Sequence, residues 1–447
     1  MIKIIRSSKA GERLKEVATL KSKKEIVSNR ILFIDEAKTY QTHAGFGGAL
    51  TEATTAILNK MTKEQKQTVL EAYFGKSGLN YNLARITINS SDFGYGNYDY
   101  LDGPDTTLKS FSLKKEETRC IPAIKEANKI HGKPLKLFAS PWSPPAFMKT
   151  NKMMNEGGKL LLEHYPTWAK YFALYLKGME DYGLKVDFIS IQNEPEAKQR
   201  WESCLWTAEE EALFIRDYLV PELKNNKLDT KIFIWDHNRD EIVRRARITL
   251  SDPKVRKHVY GIAYHWYVSD AHHHLAVVHD MFPEKHLFFT EGCVEMANKV
   301  LVPIGEMGSW KHGETYGRNI INDFNNYNEA FIDWNLVLDE KGGPNHVGNF
   351  CEAPVMFDTK AKEVAFNPSF YFIAHFAKYI EVGAKRLYCV HDVEHKFFAC
   401  SYLNPDNKIV TVIQNENDED IDLTINIRKK TYVALIKKRS INTLLEG

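Results

Sequence analysis

The stretch FISIQNEPEAKQRWESC, Phe188 to Cys204, decides how this chain is read. An apolar run of strand length breaks off into two amides, Gln192 and Asn193, then a carboxylate, Glu194, then Pro195. Proline cannot donate to a strand ladder, so the strand must stop there. A buried strand has no structural need of a carboxylate at its mouth, which makes Glu194 a candidate for chemistry.

Working outward, similar apolar runs recur at His43–Ala49, Leu83–Ile88, Leu135–Ala139, Lys231–Trp235, Gly261–His265, His286–Thr290 and Ala330–Leu336. Amphipathic stretches separate them: Lys63–Tyr73, Lys115–His131, Pro166–Asp181, Ala208–Asn225 and Asp240–Leu250. Thr62 with Gln65, and Thr207 ahead of Glu209–Glu211, read as helix starts. Eight strands alternating with helices imply right-handed crossovers and a parallel sheet, and eight is the number that closes a barrel. A doubly wound open sheet is the alternative, but Gly45-Phe46-Gly47-Gly48 lacks the spacing of a dinucleotide loop. The fold class read here is α/β, a (β/α)8 barrel over residues 42–375. Beside it, residues 1–41 and 376–447 form a β-sandwich from both chain ends. Phe397–Leu403, Ile409–Gln414, Ile421–Ile427 and Thr431–Ile436 read as an antiparallel meander broken by turns, with Asn415–Asp420 a solvated turn. Val17–Lys21 and Arg30–Asp35 are expected to join them.

Composition bounds the partners. Sixty basic and 58 acidic residues give a formal charge of +2, without the clustered basic excess of a nucleic-acid or membrane-surface binder. No stretch is long and apolar enough to span a membrane. The start, MIKIIRSSKAGERLKE, has no signal-peptide core, so a cytoplasmic, microbial setting is the expectation. Six scattered cysteines without a CxxC pair read as reduced thiols. Three consecutive histidines, His272–His274, cannot all face one ion on a regular element, so neither a metal nor a cofactor is expected. The oligomeric state is not readable.

In a (β/α)8 barrel the active site lies at the C-terminal ends of the strands. Those ends carry Asp92-Phe93, Trp142, Asn193-Glu194, Asp236-His237-Asn238, His265-Trp266-Tyr267, Glu291 and Asp333-Trp334-Asn335, a mixture of carboxylates, amides and aromatic rings suited to sugars. Glu194 follows the fourth run and Glu291 follows the seventh, on roughly opposite sides of the barrel. Two opposed carboxylates are what glycosidic cleavage needs.

The ordered set Gly45–Ala53 (GFGGALTEA), Gln192–Pro195, His265–Tyr267, Thr290–Gly292, Asp333–Asn335 and Gly342–Asn345 with Asn349-Phe350 resembles glycoside hydrolase family 30, nearest its glucosylceramidase-like branch. The resemblance implies a retaining β-glycosidase with Glu194 as general acid/base and Glu291 as nucleophile. It implies supporting roles for Asn193, Arg85, Tyr267 and His265, and sugar contacts from Asp92, Phe93, Trp142, Trp334, Trp201 and Asn349. The two carboxyl groups should lie about 5–5.5 Å apart, and the charge of Glu291 should raise the pKa of Glu194. β-Glucosides, with sphingolipid glucosides among them, are the expected substrates. β-Xylosidase, β-fucosidase, endo-β-1,6-glucanase and an inactive carbohydrate-binding protein are the alternatives. Glu196–Cys204 departs from the animal lipid-cleaving enzymes, which bears on ceramide as the leaving group. His43 and His375 read as core residues, and Cys293 as a small side chain packed beneath the sugar.

Overall fold

In the computed structural model, which describes residues 1–23, 30–296 and 307–447, the eight apolar runs close into a parallel barrel. Its strands are β1 (Gly45–Ala49), β2 (Leu83–Ile88), β3 (Lys136–Pro141), β4 (Val186–Ser190), β5 (Lys231–Asn238), β6 (Val259–His265), β7 (His286–Glu291) and β8 (Ala330–Asn335). Each pairs with the next, and β8 returns to β1. The GFGG motif is a packing device: a Cβ on Gly47 would come within 2.3 Å of the Leu83 carbonyl oxygen on β2. The glycines let two strands approach.

Side chains of a barrel strand alternate inside and outside, so inward residues two apart form layers. Leu83, Phe138, Phe188, Phe233, Ala263, Phe288, Ala330 and Ile332 make one apolar plug. Two residues further along, the same strands present Arg85, Ser140, Ser190, His265 and Thr290, all buried. The polar layer at the mouth therefore stands on an apolar floor, and the alternation of strand residues is what builds both.

The helices follow the amphipathic pattern with two local changes. Lys115–His131 divides into a 3-10 turn, Leu113–Thr118, and a helix, Cys120–His131. Ala208–Asn225 is interrupted by a π turn at Ile215–Leu219, just before Pro221, which lacks an N–H for regular helical bonding. Thr62 and Thr207 each form the reciprocal capping box with Gln65 and Glu210.

The meander is corrected. A nine-stranded sheet takes Ile2–Ser8, Lys15–Leu20 and Ile31–Thr42 from the N-terminal part together with six C-terminal strands. Ile409–Asn415 does not neighbour Ile421–Ile427; it pairs with Ser440–Glu446, while Ile421–Ile427 pairs in parallel with Ile31–Thr42. The stretch read as a solvated turn crosses between these regions, and Asn415 Nδ2 ties it down by donating to Glu419, Ile436 and Lys437 carbonyls. The sheet folds over a core of its own, in which Ile4, Leu32, Leu387, Ile413, Leu423 and Ile425 are buried together. His375, on the helix Pro368–Ala377, joins sandwich to barrel: Nδ1 meets Thr443 Oγ1 at 2.8 Å and Nε2 meets Ser7 Oγ at 2.9 Å. Burial holds both His43 and His375 down to about 3, so both are neutral structural residues.

Candidate active site

Asp236 is the centre of the polar layer, and sequence reasoning gave it no role. It lies at the end of β5, where Trp235 and Asp236 have left-handed φ values of 75° and 53° and the pairing register with β6 slips. That kink turns the Asp236 carboxylate inward. Oδ2 accepts from Arg85 Nη2 (2.8 Å), Ser140 Oγ (2.7 Å) and Ser190 Oγ (2.6 Å). Oδ1 faces His265 Nε2 (3.0 Å) and accepts from Thr290 Oγ1 (2.6 Å). One carboxylate thus connects β2, β3, β4, β6 and β7 to β5. Burial opposes its ionisation, but Arg85, His265 and the hydroxyls overcome burial and hold it well below the ordinary carboxylate range. The signal for it was a charged residue ending an apolar strand, present in Trp235-Asp236 as clearly as in Asn193-Glu194.

Arg85 is fully buried and forks over three neighbours. Nη1 donates to Glu291 Oε2 at 2.5 Å, and Nη2 donates to Asn193 Oδ1 at 2.9 Å as well as to Asp236. Its guanidinium carbon lies 5.0 Å from the ring centre of Trp142 and 5.6 Å from that of Trp334. Tyr267 OH donates to the other oxygen of Glu291 at 2.9 Å. Glu291 is therefore oriented at both oxygens.

Glu194 is held differently. Its φ is +47°, unusual for a residue with a side chain, and its N–H donates to the Asp236 carbonyl at 3.0 Å. Oε1 meets His265 Nδ1 at 3.2 Å and His237 Nδ1 at 3.5 Å. Burial pushes Glu194 up, yet the two imidazoles outweigh it and bring its pKa below the ordinary value. The expectation that Glu291 raises Glu194 is thereby reversed. Burial lowers His265, but Glu291, Asp236 and Glu194 more than offset it and lift the imidazole to about 9. Glu291 is raised, because burial exceeds the help of His265 and Arg85.

Glu194 and Glu291 line one cavity of about 270 Å³, together with Asp92, Trp142, Asn193, Trp201, Tyr267, Trp334 and Asn349. That volume is near the lower end of small-molecule sites, which begin at roughly 300 Å³, and suits one sugar ring. Trp142 and Trp334 stack at 5.2 Å and 19°. Asp92 Oδ2 accepts from Asn345 Nδ2 (3.0 Å) and Asn349 Nδ2 (3.1 Å), so Asn349 positions Asp92 as well as lining the space. Burial raises Asp92 to about 7 against those two donors. Phe93 is placed elsewhere: it does not reach the cavity but lies edge-on behind Trp334, ring centres 5.7 Å apart at 89°. Gln199, His237, Asn238, Val268 and Glu295 complete the rim; of these only His237 and Asn238 stood out in the sequence, as strand-end residues without a stated role. Of the stretch Glu196–Cys204, Gln199 and Trp201 face the cavity. Glu196 instead pairs outward with Arg244 and Arg245. Cys293 and Cys351 also border the cavity, their sulfurs 3.0 Å apart as free thiols.

The family model for the glycosyl hydrolase family 30 TIM-barrel domain matches residues 43–380, and that for the family's β-sandwich domain matches residues 383–444. The lysosomal acid glucosylceramidase of Mus musculus is 35% identical over 409 residues, 89% of this chain and 79% of the mouse protein. An endo-1,6-β-D-glucanase of Neurospora crassa is 27% identical, over 90% of this chain and 85% of its own. The crystal structure of SrfJ from Salmonella typhimurium superposes with a TM-score of 0.94 at 35% identity, covering 100% of this chain and 99% of SrfJ. No helix among the described residues is long and apolar enough to cross a membrane.

Proposed function

The chain belongs to glycosyl hydrolase family 30 and is an O-glycosyl hydrolase, and from that premise we propose that it is a retaining exo-β-glucosidase of the glucosylceramidase-like kind. The observation that carries the reading is the meeting of Glu194 and Glu291 at one sugar-sized cavity, each with its own set of partners. Glucose is the proposed glycone because the curated relatives reported above are named for glucosides.

Glu291 attacks the anomeric carbon while Glu194 gives a proton to the departing oxygen; Glu194 then takes a proton from water, which hydrolyses the glycosyl ester. Arg85 and Tyr267 keep Glu291 aligned and anionic for the attack. His265, raised by the carboxylates around it, faces Glu194 Oε1 with Nδ1 across 3.2 Å, close enough to hand it a proton for delivery. Asn193 has its carbonyl oxygen committed to Arg85, which leaves its amide hydrogens for the sugar 2-hydroxyl. Trp142 and Trp334 provide indole surface for the ring, and Asp92 accepts from its hydroxyls. The rim residues Gln199, His237, Asn238 and Glu295 are polar, which supports a hydroxyl-bearing leaving group.

Aryl β-glycosides test the mechanism. Glu291→Ala should lose at least about 10⁴-fold in kcat and be rescued by azide with inversion. Glu194→Ala should be rescued with retention on substrates with good leaving groups. Full activity in either variant sinks the assignment. Glucosylceramide and gentio-oligosaccharides, compared side by side with aryl glucoside, xyloside and fucoside, decide the substrate. Internal cleavage of the oligosaccharides would favour the endo-β-1,6-glucanase reading over the exo one.

A further inference from the structure

Two imidazoles turn a nitrogen toward the same oxygen of Glu194. Oε1 lies 3.2 Å from His265 Nδ1 and 3.5 Å from His237 Nδ1, and one ligand atom from each of the three residues lies within 4.8 Å of the others. Zinc bonds of about 2.0–2.2 Å to nitrogen and oxygen at tetrahedral angles put neighbouring ligand atoms about 3.3 Å apart. The 3.2 Å and 3.5 Å edges fall on either side of that spacing. The 3.5 Å edge is too long for a good hydrogen bond, and His237 Nδ1 is a buried ring nitrogen without a hydrogen-bond partner. Such an atom calls for an occupant.

The surroundings are organised for one. His265 directs its other nitrogen to Asp236 Oδ1 at 3.0 Å, the carboxylate–histidine arrangement that orients imidazole ligands in metal centres. Asp236 is itself immobilised by Arg85, Ser140, Ser190 and Thr290. The His237 ring rests on Trp235, centres 4.9 Å apart. Glu194 and His237 both border the 270 Å³ cavity, which supplies a path of entry and a fourth position open to water.

We propose that Glu194, His237 and His265 form a binding site for a borderline transition-metal dication such as zinc, nickel or copper. One carboxylate and two imidazoles suit these ions and not magnesium or calcium, which take oxygen ligands. On binding, the ion displaces the proton of His265 Nδ1 to solvent and occupies the Glu194 oxygen. If Glu194 is the acid/base proposed above, the ion also blocks hydrolysis; the binding itself does not rest on that role.

The test uses the full chain, stripped with chelator and titrated with zinc chloride against a fluorescent zinc indicator, with aryl glucoside hydrolysis followed in parallel. The expected result is one ion per chain and inhibition reversed by EDTA. His237→Asn should weaken binding on the order of 1,000-fold, beyond the roughly 10–100-fold that loss of an outer partner costs. His237→Asp, which keeps an oxygen ligand, should weaken it on the order of 10-fold, and melting curves verify that both fold. The double variant Cys293→Ser/Cys351→Ser should bind zinc as the parent does. No binding at millimolar zinc, unchanged affinity in His237→Asn, or loss of binding with the thiols would overturn the site. Stoichiometric binding through His237 without inhibition would uphold the site and strike instead at the role of Glu194.

Discussion

Glu291 sits against a guanidinium and a phenol; Glu194 sits against two imidazoles. The partners at the mouth of β7 do not change protonation near neutrality, since an arginine is always charged and a buried tyrosine keeps its proton. Those at the mouth of β4 are imidazoles, whose ring nitrogens can take up and give back a proton. The difference matches what each carboxylate is proposed to do. A nucleophile needs a constant charge and a constant direction, whereas an acid/base needs a neighbour with which it can exchange a proton.

The comparison is broken most severely at Arg85. Arg85→Met leaves Glu291 and Asp236 buried without their cation, and should lower kcat about 10²–10³-fold and stability by about 3–5 kcal/mol, read by kinetics and chemical denaturation. If the variant kept its rate, the two carboxylates would not depend on different partners as described.

The next effect is pH-dependent and belongs to the β4 side. His265 is raised from 6.5 to about 9 on folding. A histidine whose folded pKa exceeds its unfolded one contributes its stability in full below pH 6.5 and loses it as pH rises through about 9. Wild-type stability should therefore fall by up to ~3 kcal/mol across that window, and His265→Asn should fall less. Denaturation midpoints at a series of pH values measure it; parallel curves for the two proteins would refute it.

The smallest effect concerns the sugar cradle. Asp92, raised to about 7, becomes protonated below that pH and then accepts fewer hydroxyl hydrogens. KM for a neutral glucoside should rise as pH falls below 7, by up to about 10-fold for one charged hydrogen bond. Asn349→Ala removes a donor to Asp92 and should move the inflection upward.

Much of the barrel was legible because parallel strands buried on both faces read as continuous apolar runs, and Phe188–Ile191 is one. Glu194 and Glu291 were legible as carboxylates directly after such runs. Asp236 was legible as a strand-end carboxylate but not in its role, because the left-handed turn at Trp235 and Asp236 that aims it inward leaves no mark in the sequence. Gln199 was missed for a related reason: it enters the cavity from a connection that follows the kink at Glu194, while the role of His237, at the end of β5, depends on the turn just before it. In the sandwich, Ile2–Ser8 carries Lys3 and Arg6, which masked it as a strand, yet Arg6 is buried and donates to Asn442 Oδ1 at 2.9 Å. The Trp142–Trp334 pair came from strands three and eight, whose meeting is a property of the closed barrel and not of either stretch.

The pairing of Ile2–Ser8 with Ser440–Glu446 has a consequence for how the molecule is made. Ile2 finds its register against Glu446, 444 residues on (446 − 2). A ribosome releases the first of these strands long before the second exists, so one side of an apolar segment waits unpaired while the residues between them are made. The barrel is complete in sequence by Asn335, and the sandwich closes after it, over a strand made long before its partner. The side domain thus closes only once Ser440–Glu446 has been made, and a nascent chain stopped short of Ser440 presents that open edge to chaperones and proteases.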